Sequence, residues 1–185
     1  MTDTENMPPE GGKRRIDRVL APDFVQGLPD LTMEQLRERR DLSRAEREYL
    51  SLVRRLLHGR RDILQAELER RRGDGTGGTL VERLPSILAD EPGPSRGEAP
   101  LITLPEEELT LARRRVERLL SDATLSDLDH LSDEDVEAAL VRLDEEEGTV
   151  SEARGRVLVV HDVLQDELKA RYRVRVRNLE DEHPG

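Results

Sequence analysis

The chain has 185 residues, enough for one modest domain or two small halves. It has no cysteine, which excludes disulfides, thiolate metal sites and cysteine nucleophiles, and with one Phe, two Tyr and no Trp its core must be built from Leu and Val. Charged residues make up 38%, a composition that suits long helices and coiled coils rather than a compact α/β enzyme, and the net charge of −11 argues against general nucleic-acid binding.

In chain order, residues 1–12 hold no apolar stretch and are expected to be disordered, and no run of about 18 apolar residues occurs anywhere. The expectation is a cytoplasmic protein with no membrane segment. Residues 13–31, KRRIDRVLAPDFVQGLPDL, mix charge with Ile16, Val19, Leu20, Phe24, Val25 and Leu28, while Pro22 and Pro29 forbid a long helix. This stretch, within a region spanning 1–29, reads as a strap that docks on helices or on a partner. Residues 30–72 form the first motif helix region: a short helix from Thr32 as cap to Arg40, then a long one opened by the capping-box spacing of Ser43 and Glu46. Gly73, Gly75, Gly77 and Gly78 end it and begin a linker over 73–104. Within the linker, TLVERLPSILA at 79–89 is an apolar island, either a turn packed on the protein's own helices or a docking segment, and 91–100 is linker by composition. Pro105 followed by Glu106, Glu107 and Glu108 starts accessory helices over 105–131. Ser132 and Asp135 cap a second long helix over 132–173, and residues 174–185 are a tail with a frayed end from 178.

The two long segments repeat one another. SLVRRLLHGRRDILQAELERR at 51–71 and SEARGRVLVVHDVLQDELKAR at 151–171 align without a gap at an offset of 100, with 8 identities in 21 positions, among them Ser, Arg and Asp at 51/151, 54/154 and 62/162. Such a repeat settles the architecture before any local propensity does. Ser51, Arg54, His58 and Asp62 are spaced 3, 4 and 4 apart, so on a helix they form one polar row, apart from the packing arc of Leu50, Val53, Leu57, Leu64 and Leu68. A single row of this kind is usually solvated surface. Its recurrence in both copies weighs towards a role. The fold expected is all-α: an antiparallel coiled-coil hairpin of two repeated long helices with short accessory helices.

The row has a chemistry. Arg offers a bidentate fork for guanine O6 and N7. A carboxylate accepts from the guanine N1–H and N2–H₂ edge, and Ser donates to a phosphate. Two rows on a two-fold hairpin would therefore read two guanines and two phosphates, and cyclic di-GMP is such a molecule.

The pattern resembles the signature E-x3-S-x2-R-x3-(Q/N)-x3-D, present twice, of the RsiG family, also called aerial mycelium formation proteins. These are actinobacterial anti-sigma factors that hold the sporulation sigma factor WhiG with cyclic di-GMP as the joining ligand. The second copy matches at Glu147, Ser151, Arg154 and Asp162, with Leu158 in place of Gln/Asn. The first matches at Ser51, Arg54 and Asp62, with Arg47 in place of Glu and His58 in place of Gln/Asn. The resemblance extends to RRIDRVLAPDF, ILQAEL and TLVERLPSIL. It implies a transcription regulator that binds cyclic di-GMP through Arg47, Ser51, Arg54, His58, Asp62, Glu147, Ser151, Arg154 and Asp162. It would sequester a WhiG-like sigma factor until the nucleotide falls, without metal, membrane or direct nucleic-acid binding. His58 can both donate and accept and so replaces Gln, whereas Leu158 loses that contact. The competing reading is a structural coiled-coil adaptor that binds protein only. An enzyme is not expected, since His58, His130, His161 and His183 show no metal-like cluster and no nucleophile sits beside a base.

Overall fold

The computed structural model describes residues 14–73, 104–120 and 128–182. The expectations for 1–12, for most of the linker and for the apolar island at 79–89 lie outside those residues. The elements are α1 (Arg15–Val19), 3-10 turns at Pro22–Val25 and Leu28–Asp30, α2 (Met33–Arg72), α3 (Glu106–Leu119), a 3-10 turn at Leu128–His130 and α4 (Asp133–Glu182). Among the described residues there is no strand. The fold is all-α and is dominated by α2, of 40 residues, and α4, of 50.

Both long helices begin with the same device. Gln35 N–H donates to Thr32 Oγ1 at 3.1 Å while Thr32 N–H donates to Gln35 Oε1 at 2.8 Å. Asp135 N–H donates to Ser132 Oγ at 3.1 Å while Ser132 N–H donates to Asp135 Oδ2 at 3.3 Å. Each reciprocal pair satisfies amide groups that a helix start otherwise leaves unpaired. Ser43, expected to open a second helix with Glu46, does not do so. Helix α2 runs through it, Ser43 is buried, and its hydroxyl donates to the Arg40 carbonyl at 2.8 Å. Ser within a helix commonly bonds back in this way. No Gly or Pro lies between 33 and 58 to stop the helix, and Glu46 is engaged instead by Arg15 Nε at 2.6 Å. The tail is also helical: α4 continues from Arg173 to Glu182, because no breaker occurs before Pro184. Gly148 and Gly155 sit at exposed positions inside α4 and weaken it by about 1 kcal/mol each without interrupting it.

The buried seam follows a seven-residue step. Leu36, Ser43, Leu50, Leu57 and Leu64 on α2, and Val136, Leu143, Val150, Val157 and Leu164 on α4, are all at most 1% exposed. A strict heptad of this kind is the seam of a coiled coil. The chain forms two compact units, one of residues 1–47 and 155–185, the other of 48–154. In the second unit Ser51 meets Arg154, Arg54 meets Glu147, Arg61 meets Asp144 and Arg72 meets Glu137. Numbers rise on α2 as they fall on α4, so the segments are antiparallel. In the first unit Arg37 meets Tyr172 and Ser43 meets His161, with the same sense.

Each unit is built to the same plan. In the first, Arg171 donates to the Leu28 and Leu31 carbonyls and to Glu167, and Arg15 pairs with Glu46. In the second, Arg71 donates to the Leu128 and Leu131 carbonyls and to Glu67, and Arg115 pairs with Glu146. Every one of these residues is displaced by 100 from its counterpart. The sequence carries the same offset further back than residue 51, since RRIDRVL at 14–20 aligns with RRVERLL at 114–120. The duplication therefore covers the strap as well as the motif helices. In the first unit Phe24, Leu28 and Leu31, with Met33 at the start of α2, lie against buried Leu36, Leu164 and Leu168. Arg39 donates to the Phe24 carbonyl at 2.6 Å and lies over its ring.

Candidate ligand-binding site

The heptad seam turns one helix face inward and leaves the polar row on the flank. The seam positions Leu50, Leu57 and Leu64 are buried, whereas Ser51, Arg54, His58 and Asp62 are half-buried. Antiparallel pairing then brings part of the α4 row beside part of the α2 row. In the second unit one carboxylate oxygen gathers three side chains. Glu147 Oε1 accepts from Arg54 Nε at 2.7 Å and from Ser151 Oγ at 2.8 Å, and lies 3.3 Å from His58 Nε2. Arg54 and His58 come from α2, Glu147 and Ser151 from α4. In the same unit Arg154 Nε donates to Ser51 Oγ at 2.8 Å. Asp62 lies 3.7 Å from Arg61.

Six of the nine residues expected to form the site are thus engaged in two sets, Arg54, His58, Glu147 and Ser151 in one and Ser51 and Arg154 in the other. Asp62 stands on the same helix flank with a different neighbour. Arg47 and Asp162 belong to the first unit, and there both bear on His161.

The electrostatics follow from this geometry. The Arg54 guanidinium first, then the Ser151 hydroxyl, hold the Glu147 carboxyl down to about 2 from an ordinary 4.5, against partial burial. Glu67 is held down to about 2 by Arg70 and then Arg71. Burial, and then the nearby Arg47 cation, push the His161 imidazole below its ordinary value, with Asp162 opposing. A carboxyl with a lowered folded pKa favours the fold above its unfolded value, and that contribution is lost as the pH falls through the folded value. For Glu147 and Glu67 the window runs from 4.5 down to about 2. A histidine with a lowered folded pKa binds its proton first in the unfolded chain, so it too costs stability as the pH drops below 6.5. Urea midpoints measured from pH 7 to pH 2.5 should therefore decline in two stages. Glu147→Gln should reduce the lower-pH decline. A flat profile over the whole range would contradict the arrangement.

Reading the sequence alone missed the roles of Glu67, Arg71, Glu167 and Arg171, though all four are identities of the repeat. The two glutamates hold the arginines, and the arginines reach backbone carbonyls of distant turns, which leave no side-chain signature. His161, passed over because it forms no metal-like cluster, lies 3.3 Å from buried Ser43 and so puts a polar contact into the seam of the first unit. The heptad, Leu36 to Leu64 in steps of seven, was present in the sequence as a signal for the buried position of Ser43.

Fold and site together define a class: a helical hairpin protein made from a duplicated segment, with two polar rows beside its seam and a carboxylate that orients an arginine across the helices. The chain is similar to the RsiG-like family, whose model matches residues 22–88. The match takes in the second half of the strap and all of α2. No curated protein matches the chain. Similarity to that family suggests an anti-sigma factor role and, with it, a sigma-factor partner. None of the helices among the described residues is long and apolar enough to cross a membrane.

Proposed function

We propose that this chain is an anti-sigma factor that binds cyclic di-GMP through its two polar rows and, when filled, sequesters a WhiG-type sigma factor, repressing its transcription until the nucleotide falls. It acts by binding, without catalysis and without a metal. The observation that supports this most is the Glu147 cluster. It engages Arg54 through Nε, so the Nη pair remains to grip the O6/N7 edge of a guanine. An arginine on a purely solvated face has no need of a carboxylate, a hydroxyl and an imidazole gathered from two helices. In this reading Arg54, Asp62, Arg154 and Asp162 read guanine, and Ser51 and Ser151 contact phosphate or sugar.

Asp162→Arg tests it. Replacing a carboxylate that meets a guanine edge by a cation removes that contact and opposes the guanine donors, so nucleotide-dependent sigma-factor binding should weaken by more than about tenfold. Asp162 is exposed, off the heptad seam, so helicity by circular dichroism should hardly change. The adaptor reading predicts sigma-factor binding that ignores both the nucleotide and the substitution. Calorimetry showing that result would end the proposal.

A further inference from the structure

The two row arginines, Arg54 and Arg154, are not held alike. Arg54 Nε donates to a carboxylate, Glu147, which is itself tied to Ser151 on α4 and approached by His58 on α2. Arg154 Nε donates to the neutral hydroxyl of Ser51. The carboxylate adds a charge–charge attraction to the guanidinium that a neutral hydroxyl cannot supply. The difference lies in the sequence of the repeat. The position equivalent to Glu147 carries Arg47, and the position equivalent to His58 carries Leu158. The first copy thus supplies no carboxylate four residues before Ser51, and the second supplies no imidazole or amide four residues after Arg154.

We infer that Arg54 is the pre-set guanine reader and Arg154 is not, so that this chain selects a cyclic dinucleotide through one guanine and tolerates another base at the second position. This rests on the reading of the rows as a nucleotide-binding surface. Glu147 is then a positioning residue: it fixes the Arg54 fork before ligand arrives, and the ordering of that side chain is not charged against binding. Arg154, held through a neutral hydroxyl, is ordered in larger part by the ligand itself. A guanine there gains less over an adenine, because part of the bidentate bond energy goes into immobilising the side chain.

The test is calorimetric titration of the full chain, alone and with a candidate sigma factor, using cyclic di-GMP, the mixed cyclic GMP-AMP and cyclic di-AMP. The mixed ligand should bind within about threefold of cyclic di-GMP, while cyclic di-AMP, with no guanine for Arg54, should bind more than about tenfold more weakly. Glu147→Gln should weaken cyclic di-GMP and the mixed ligand together and shrink their advantage over cyclic di-AMP. The double variant Arg47→Glu, Leu158→Gln should open a gap of about tenfold between cyclic di-GMP and the mixed ligand. If the unaltered chain binds cyclic di-GMP but rejects the mixed ligand by more than about tenfold, the inference fails while the nucleotide reading stands. If none of the three binds under either condition, both fail.

Discussion

Leu164→Ala should destabilise the protein by about 2–5 kcal/mol, the usual cost of cutting a fully buried leucine to a methyl group. Leu164 has no exposed surface and lies with Leu36 and Leu168 under Phe24, Leu28, Leu31, Met33 and Val160. Those neighbours come from the strap, from the start of α2 and from α4. A cavity at Leu164 therefore loosens the strap and both long helices of the first unit at once. For a chain of this size the melting temperature should fall by about 5–15 °C. Val159→Ala, five residues away on the same helix but 65% exposed, should stay within about 0.5 kcal/mol. Urea unfolding of the two variants measures the contrast. Equal, small effects would mean that the heptad position does not decide burial.

Removal of one arginine staple should be the next largest effect. Arg71 Nη1 donates to the Leu131 carbonyl at 2.7 Å and to Asp133 at 2.9 Å, Nη2 reaches the Leu128 carbonyl, and Nε donates to buried Glu67 at 2.7 Å. One guanidinium thus joins the end of α2 to the turn that precedes α4. Hydrogen bonds to charged groups contribute about 1.5–3 kcal/mol, and Arg71→Ala also strips a cation from a carboxylate that is buried. The expected loss is about 3 kcal/mol, towards the range for breaking a buried ion pair. Arg71→Lys should recover less than half of it, because an ammonium is a point donor and cannot span a carboxylate and two carbonyls in a plane. Arg171→Ala should cost less, since Met33 stands where the second unit has Asp133. Denaturant midpoints for the three variants give the order directly. If Arg71→Lys behaved as the unaltered protein, the fork geometry would carry no weight.

The duplicated segment and its all-α consequence were legible because they are periodic. A constant offset of 100 and an apolar arc at helical spacing do not depend on knowing which residues touch. The polar row was legible for the same reason: residues spaced 3 and 4 apart share a helix flank whatever the helix packs against. Ser43 misled because its spacing to Glu46 matches a cap, and local spacing does not reveal that Arg15 draws Glu46 away and that the seam buries the hydroxyl. The end of α4 misled for a related reason. The aligned repeat ends at Arg71 and Arg171, so it gave no length for the turns from Arg173 to Glu182.

Composition, periodicity and the repeat by themselves determined the helical class, the two long helices and the identity of the polar rows, because each follows from geometry within a single helix. Only the tertiary structure decided which members of the rows meet, that Glu147 gathers Arg54, His58 and Ser151 while Arg154 finds Ser51, and that Arg71 and Arg171 close on carbonyls of distant turns. Apart from Glu147 and Ser151, one turn apart on α4, these are contacts between residues 57 to 143 positions apart. Their partners are set by the register of two antiparallel helices, and register is a property of the packed seam that no single helix contains.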